Sequence, residues 1–172
     1  MRWTTAVLVV CLASPMWAQE PVKEPEMKYF KLDFVVKELD EARTVSSRTY
    51  SAMVATGRPS RGCSIRTGTR LPIQTSPAGN PNVQVQYYDI GVNIDCNTAT
   101  EMGSQLSLVV TADVSSLPAG REANSTLPPV VRQNRWTGNV VVPIGKATTL
   151  FSSDDLDSKR KMQLELTVNP VK

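Results

Sequence analysis

Leu106-Ser107-Leu108-Val109-Val110-Thr111-Ala112-Asp113-Val114 is the stretch that decides the fold class of this 172-residue chain. Leu106, Leu108, Val110, Ala112 and Val114 occupy every second position, with Ser107, Thr111 and Asp113 among the residues between them. Successive side chains of an extended strand point to opposite faces, so a period of two marks a strand with one face buried and the other wet. No window sustains a helical period. The chain is therefore expected to be all-β.

The same period extends in both directions. Phe30, Leu32, Phe34 and Val36 alternate with Lys31, Asp33, Val35 and Lys37. Leu39 to Arg43 reads as a turn, and Thr44 to Ala55 as a second strand that completes a hairpin. Gly57 to Gly62 punctuates the chain before a third strand carrying Cys63, Ile65, Thr67, Thr69, Leu71 and Ile73 on one face. Ser76 to Asn82 is read as an exposed loop. In the next strand the apolar positions switch parity, from Val83, Val85 and Tyr87 to Ile90, Val92, Ile94 and Cys96. A regular strand cannot change faces, so a bulge or sharp bend is expected near Tyr88-Asp89. Ser115 to Pro129 is a long loop, Asn134 to Ile144 a strand and Thr148 to Phe151 a short one. Ser152 to Asp157 is a loop or one capped helical turn. In the last strand, Met162, Leu164, Leu166 and Val168 share a face. The expected architecture is a single antiparallel β-sandwich or open barrel of about 7–8 strands over residues 29–172.

The N-terminus reads as an export signal. Arg2 is the positive n-region, Ala6 to Ala13 an apolar run of about eight residues, and Met16-Trp17-Ala18 a cleavage site. Residues 1–18 are expected to be a signal peptide and 19–28 a flexible, proline-interrupted leader. A lipid anchor at Cys11 is the alternative reading, although Val10 is a poor preceding residue. The apolar run is too short to span a bilayer as a helix. Export leaves two cysteines, and an even count in an oxidising compartment reads as one disulfide, Cys63 to Cys96, with two buried thiols as the alternative. The formal charge of +3 drops to +2 once Arg2 is removed, and no basic stripe favours nucleic acid.

Chemistry is sparse. The chain has no histidine, so a Ser-His-Asp or Cys-His arrangement is excluded within it. No glycine-rich phosphate loop opens a helix. Asp89 with Asp95, or Asp154 with Asp155 and Asp157, are the remaining carboxylate groupings, and strand-surface and turn solvation account for both. No catalytic residue, metal ligand or cofactor is expected. Asn124-Ser125-Thr126 matches a glycosylation sequon, relevant only in a eukaryotic secretory pathway.

Three stretches together resemble the C-terminal, barrel-forming domain of bacterial type II and III secretion secretins. They are Ile65-Arg66-Thr67-Gly68-Thr69-Arg70-Leu71-Pro72-Ile73, then Tyr87-Tyr88-Asp89-Ile90-Gly91-Val92-Asn93-Ile94-Asp95, and then Gln163 to Val171. The resemblance runs from about Gly62 to Lys172, roughly 110 residues, and its middle stretch is the most specific. The family's G-G-L turn is replaced here by Leu150-Phe151-Ser152-Ser153. The resemblance implies a secretin-like strand order and a bacterial periplasmic or outer-membrane-associated setting, with secretion as the alternative. The leading expectation is a non-enzymatic envelope β domain acting on a protein partner or by self-association. Its contact surface would use Arg66, Arg70 and Arg135 with Trp136, along with Arg48, Gln84 and Gln86. The alternatives are a self-assembling outer-membrane pore subunit and a small-ligand or glycan-binding sandwich using Trp136 and the tyrosines.

Overall fold

The computed structural model describes residues 26–57, 59–75, 84–117, 130–155 and 159–171. The signal peptide, most of the leader, the Ser76 to Asn82 loop, the sequon and Asp157 lie outside the described residues. So does the Ser115 to Pro129 loop beyond Leu117. The described chain forms eight strands: β1 (Tyr29–Asp40), β2 (Arg43–Ala55), β3 (Cys63–Gln74), β4 (Val85–Met102), β5 (Gln105–Ser116), β6 (Arg132–Pro143), β7 (Thr148–Asp154) and β8 (Arg160–Pro170). They assemble into two antiparallel sheets, ordered β2-β1-β8-β7 and β3-β4-β5-β6. Of the two expected architectures, the sandwich is the one observed.

The period-two pattern places the core. β1 contributes Phe30, Leu32, Phe34 and Val36, and β8 contributes Leu164, Leu166 and Val168. Facing them from the second sheet are Val92, Ile94 and Cys96 of β4, then Leu106, Leu108, Val110 and Ala112 of β5, with Val142 of β6. Burying a branched aliphatic or phenyl side chain stabilises by about 1.5–3 kcal/mol relative to exposure, so this double layer is the main source of stability.

One end of the sandwich is tied shut. Ala55 and Arg61 exchange backbone hydrogen bonds in the β2–β3 connection, and Ile144 bridges to Val168 after β6. Lys28, just before β1, pairs with Glu101 on the second sheet at 2.6 Å, which holds the lysine pKa above its ordinary value. The Gly103-Ser104 turn links Met102 to Gln105 at this end, with Gly103 at a φ of 63° that L side chains rarely adopt.

The opposite end opens. β4 pairs with β5 only from Val92 onward, whereas its pairing with β3 continues without a register shift from Cys96 to Val85. Residues 68–74 and 85–91 therefore form a two-stranded arm that leaves the four-stranded sheet. Of the bulge or sharp bend expected near Tyr88-Asp89, the bulge is absent, since both residues pair in unbroken register with Leu71 and Arg70. Val85 and Tyr87 sit on the opposite face from Ile90 and Val92, and both are exposed. The parity switch is tolerated because the arm has left the core, so neither face there needs to be apolar. The bulge in β4 lies instead between Asn97 and Thr100, with Thr98 at a φ of 54°.

Candidate interaction surface

The outward face of the second sheet carries the arginines singled out from the sequence. In antiparallel pairs, side chains directly opposite or diagonal to one another are within reach, and opposite charges there attract. Arg70 stands directly opposite Asp89 and donates to it through Nε at 3.0 Å. Arg66 reaches diagonally to Asp95, donating from one terminal nitrogen to both carboxylate oxygens at 2.8 Å. This bond holds the Asp95 carboxyl below the usual carboxylate range, against the opposing effect of partial desolvation. Arg135 stands opposite Asp113 and donates through Nε and a terminal nitrogen at 3.0 and 2.7 Å. Gln133 gives the same carboxylate two further hydrogen bonds.

These contacts form a row across the sheet. By register, Arg66 faces Asn93, Asn93 faces Asp113 and Asp113 faces Arg135. Thr137 donates to Thr111 in the adjacent row at 3.2 Å. The arginines are thus held flat and neutralised by aspartates of their own sheet. The face is polar and pre-ordered rather than a bare cationic patch.

Trp136 is not part of it. It follows Arg135 and so points to the other side, where it stands opposite Ala112 and stacks on Phe151 with centroids 6.1 Å apart. Gly138 makes room for the indole: a Cβ there would meet Cζ2 at 2.6 Å. Trp136 packs against the core and links the second sheet to β7. Arg48 also departs from the expected surface, because it stands opposite the buried Val36 and shares its core-facing side. Tyr87 and Tyr88 stand opposite Pro72 and Leu71 on the arm, one on each face and both exposed.

Cys63 stands directly opposite Cys96 where β3 begins, with Cα atoms 4.9 Å apart, and the two are joined as a disulfide. Ser115 marks the point where the arm departs. Its Oγ accepts the Gly91 N–H at 3.0 Å, supplying a partner where β5 no longer continues the ladder. Asp154 and Asp155 bond to Lys161 and Arg132 respectively, so each is engaged in surface pairing. Among the described residues no group of three or more histidine, cysteine or acidic side chains is arranged to hold a metal ion. No helix among them is long and apolar enough to cross a membrane.

No protein-family model matches the chain, and no curated protein sequence matches it. Among solved structures it bears a partial resemblance to secretins. It is similar to the Salmonella SPI-1 type III secretion injectisome secretin InvG, at a TM-score of 0.47 and 9% identity, covering 85% of this chain and 64% of that one. It is similar to the type II secretin GspD of enteropathogenic Escherichia coli, at a TM-score of 0.47 and 10% identity, covering 85% and 66%. A third is the Klebsiella pneumoniae type II secretion outer membrane complex of PulD, PulS and the PulC HR domain, at a TM-score of 0.45 and 10% identity, covering 85% and 38%. The chain spans less than two thirds of the length of each of these.

Proposed function

We propose that this chain is an exported bacterial envelope domain that works by protein–protein contact rather than catalysis. The observation that carries the reading is the second sheet itself. It is bounded by two strands of 12 residues, β3 and β6, each with a ladder partner on one side only among the described residues. An unpaired strand edge presents a row of backbone donors and acceptors that another chain can extend. The face between those edges is the ordered Arg–Asp array of Arg66, Arg70 and Arg135, which offers fixed hydrogen-bonding positions to a polar partner. The envelope setting rests on the n-region, apolar run and cleavage pattern of residues 1–18, and on the secretin-like stretches. The first two of those stretches, Ile65 to Ile73 and Tyr87 to Asp95, are paired strands here, and a disulfide at their shared end suits an oxidising compartment.

Self-assembly into a pore is the second reading, favoured by the same two edges, since β3 of one copy could meet β6 of the next. Sizing with light scattering on soluble and membrane fractions separates the two. A photo-crosslinker at Arg66 or Arg135 should capture a second polypeptide in the intact envelope, while one at Thr149 on the first sheet should not. Strictly monomeric protein with no crosslink from either sheet-two position would remove both readings.

A further inference from the structure

The open end of the sandwich contains a cleft of about 420 Å³ between β2 and the base of the β3–β4 arm. Tyr50 of β2, Leu71 of β3, Ile90 and Val92 of β4, and Leu117 after β5 form its apolar walls. Arg48 joins them from β2, for the reason already seen: its register partner is Val36, so it projects into the space between the sheets. Here it differs from the other arginines described above. Arg66, Arg70 and Arg135 are each held by an aspartate, whereas the Arg48 side chain makes no hydrogen bond or ion pair among the described residues. Two carboxylates share its side of the hairpin, Glu38, which stands opposite Ser46 one diagonal step away, and Asp40 beyond it opposite Arg43, and neither forms an ion pair with it.

We infer that this cleft is a binding site for an aliphatic monocarboxylate, with the chain between Tyr50, Leu71, Ile90 and Leu117 and the carboxylate on the Arg48 guanidinium. The volume falls within the range of small-molecule sites, which combine mostly apolar walls with a few placed polar groups. A planar guanidinium matches a carboxylate through two parallel hydrogen bonds. A cation beside apolar walls, with no acid of its own, selects an anionic head over a neutral or cationic one. The site lies on the other side of the second sheet from the Arg–Asp face and is independent of the contact role proposed above.

Calorimetric titration of the purified protein with decanoate, decanol and decyltrimethylammonium, each below its micellisation concentration, tests the assignment. Decanoate should bind roughly tenfold or more tighter than decanol, the usual gain from a charge-assisted hydrogen bond, and the ammonium more weakly than either. Arg48→Met should bring decanoate down to the level of decanol and leave decanol unchanged, because Arg48 supports no fold contact. Glu38→Gln should strengthen decanoate alone. Thr69→Trp, which fills the cleft from the arm, should weaken decanoate and decanol together, with an unchanged melting curve verifying the fold. The assignment is overturned if decanoate gives no binding heat, if the three heads bind alike, or if Arg48→Met leaves their order intact.

Discussion

Glu41 and Ala42 form the two-residue turn between β1 and β2, with φ of 47° and 78°. Two positive φ values in a two-residue hairpin match the twist of the flanking strands, a geometry normally supplied by Asn-Gly or Asp-Gly. Neither residue here relieves the clash between Cβ and backbone, which costs about 1–2 kcal/mol at such a position. Ala42→Gly should therefore stabilise the protein by about 1 kcal/mol, seen as a rise in the denaturant midpoint without a change in slope. The turn could be located from the sequence only by the flanking alternation, because its own residues carry no turn signature. Asp95 provides a second expectation. Its pKa is lowered by Arg66, so the stability it contributes is fully present above the ordinary value of 3.8 and is lost as pH falls through the lowered one. The pair is solvent-accessible, so Asp95→Asn should cost less than about 1 kcal/mol at neutral pH. The wild-type and mutant melting temperatures should then converge as acidification protonates Asp95 below the usual carboxylate range. Asp33, lowered chiefly by the Ser51 hydroxyl, titrates in the same sense on the first sheet and supplies the shared background slope.

β3 shows what holds an edge strand in place. Among the described residues it has β4 as its one ladder partner, more than half of its length lies on the arm, and its residues from Arg66 to Arg70 are exposed. Its packing contribution is therefore small, and the bridge to the fully buried Cys96 fixes its first residue. Closing a span of 33 residues removes unfolded-chain entropy worth about 3–4 kcal/mol in the loop-closure model. Cys63→Ser should lose about that much in equilibrium denaturation. Reduction of the wild type should give the same loss and the mutant no further one. The pairing was legible in sequence because each cysteine sits on the apolar face of its strand beside an isoleucine. The unbroken register of β4 against β3 was not. Parity reports a buried face only where a core exists, and Val85 and Tyr87 lie where the chain has left it. Arg48 misled for the converse reason: a charged residue is read as outward-facing, and only its register opposite Val36 reveals that it points between the sheets.

At the scale of the molecule, burial is unevenly distributed along the strands, and that gradient makes a claim about dynamics. The fully buried side chains lie toward the closed end, where the disulfide, the Ala55–Arg61 bridge, the Ile144–Val168 bridge and the Lys28–Glu101 pair converge. Toward the open end, the β3–β4 hairpin continues as a two-stranded ribbon, while β2 is an exposed edge strand on β1, which β8 still flanks as far as Asp40 opposite Arg160. Arg43 to Thr49 is exposed apart from half-buried Ser46, and Val85 to Asp89 is exposed throughout. Local opening follows the density of buried contacts, and a two-stranded ribbon is marginal by itself in water. Hydrogen exchange should therefore divide the domain across its strands rather than between its sheets. Amides of residues 32–36, 94–96, 106–110 and 164–168 should exchange only through global unfolding. Those of residues 43–48, 70–74 and 85–89 should exchange far faster, at rates insensitive to mild changes in global stability. Uniform protection along β3 and β4 would contradict the gradient. A partner bound along β3 should slow the arm's share of the fast group selectively, because among the described residues the arm has no third strand beside it. Self-association of β3 with β6 should also slow β6, the other edge of the second sheet, so the pattern of added protection distinguishes the two modes of contact.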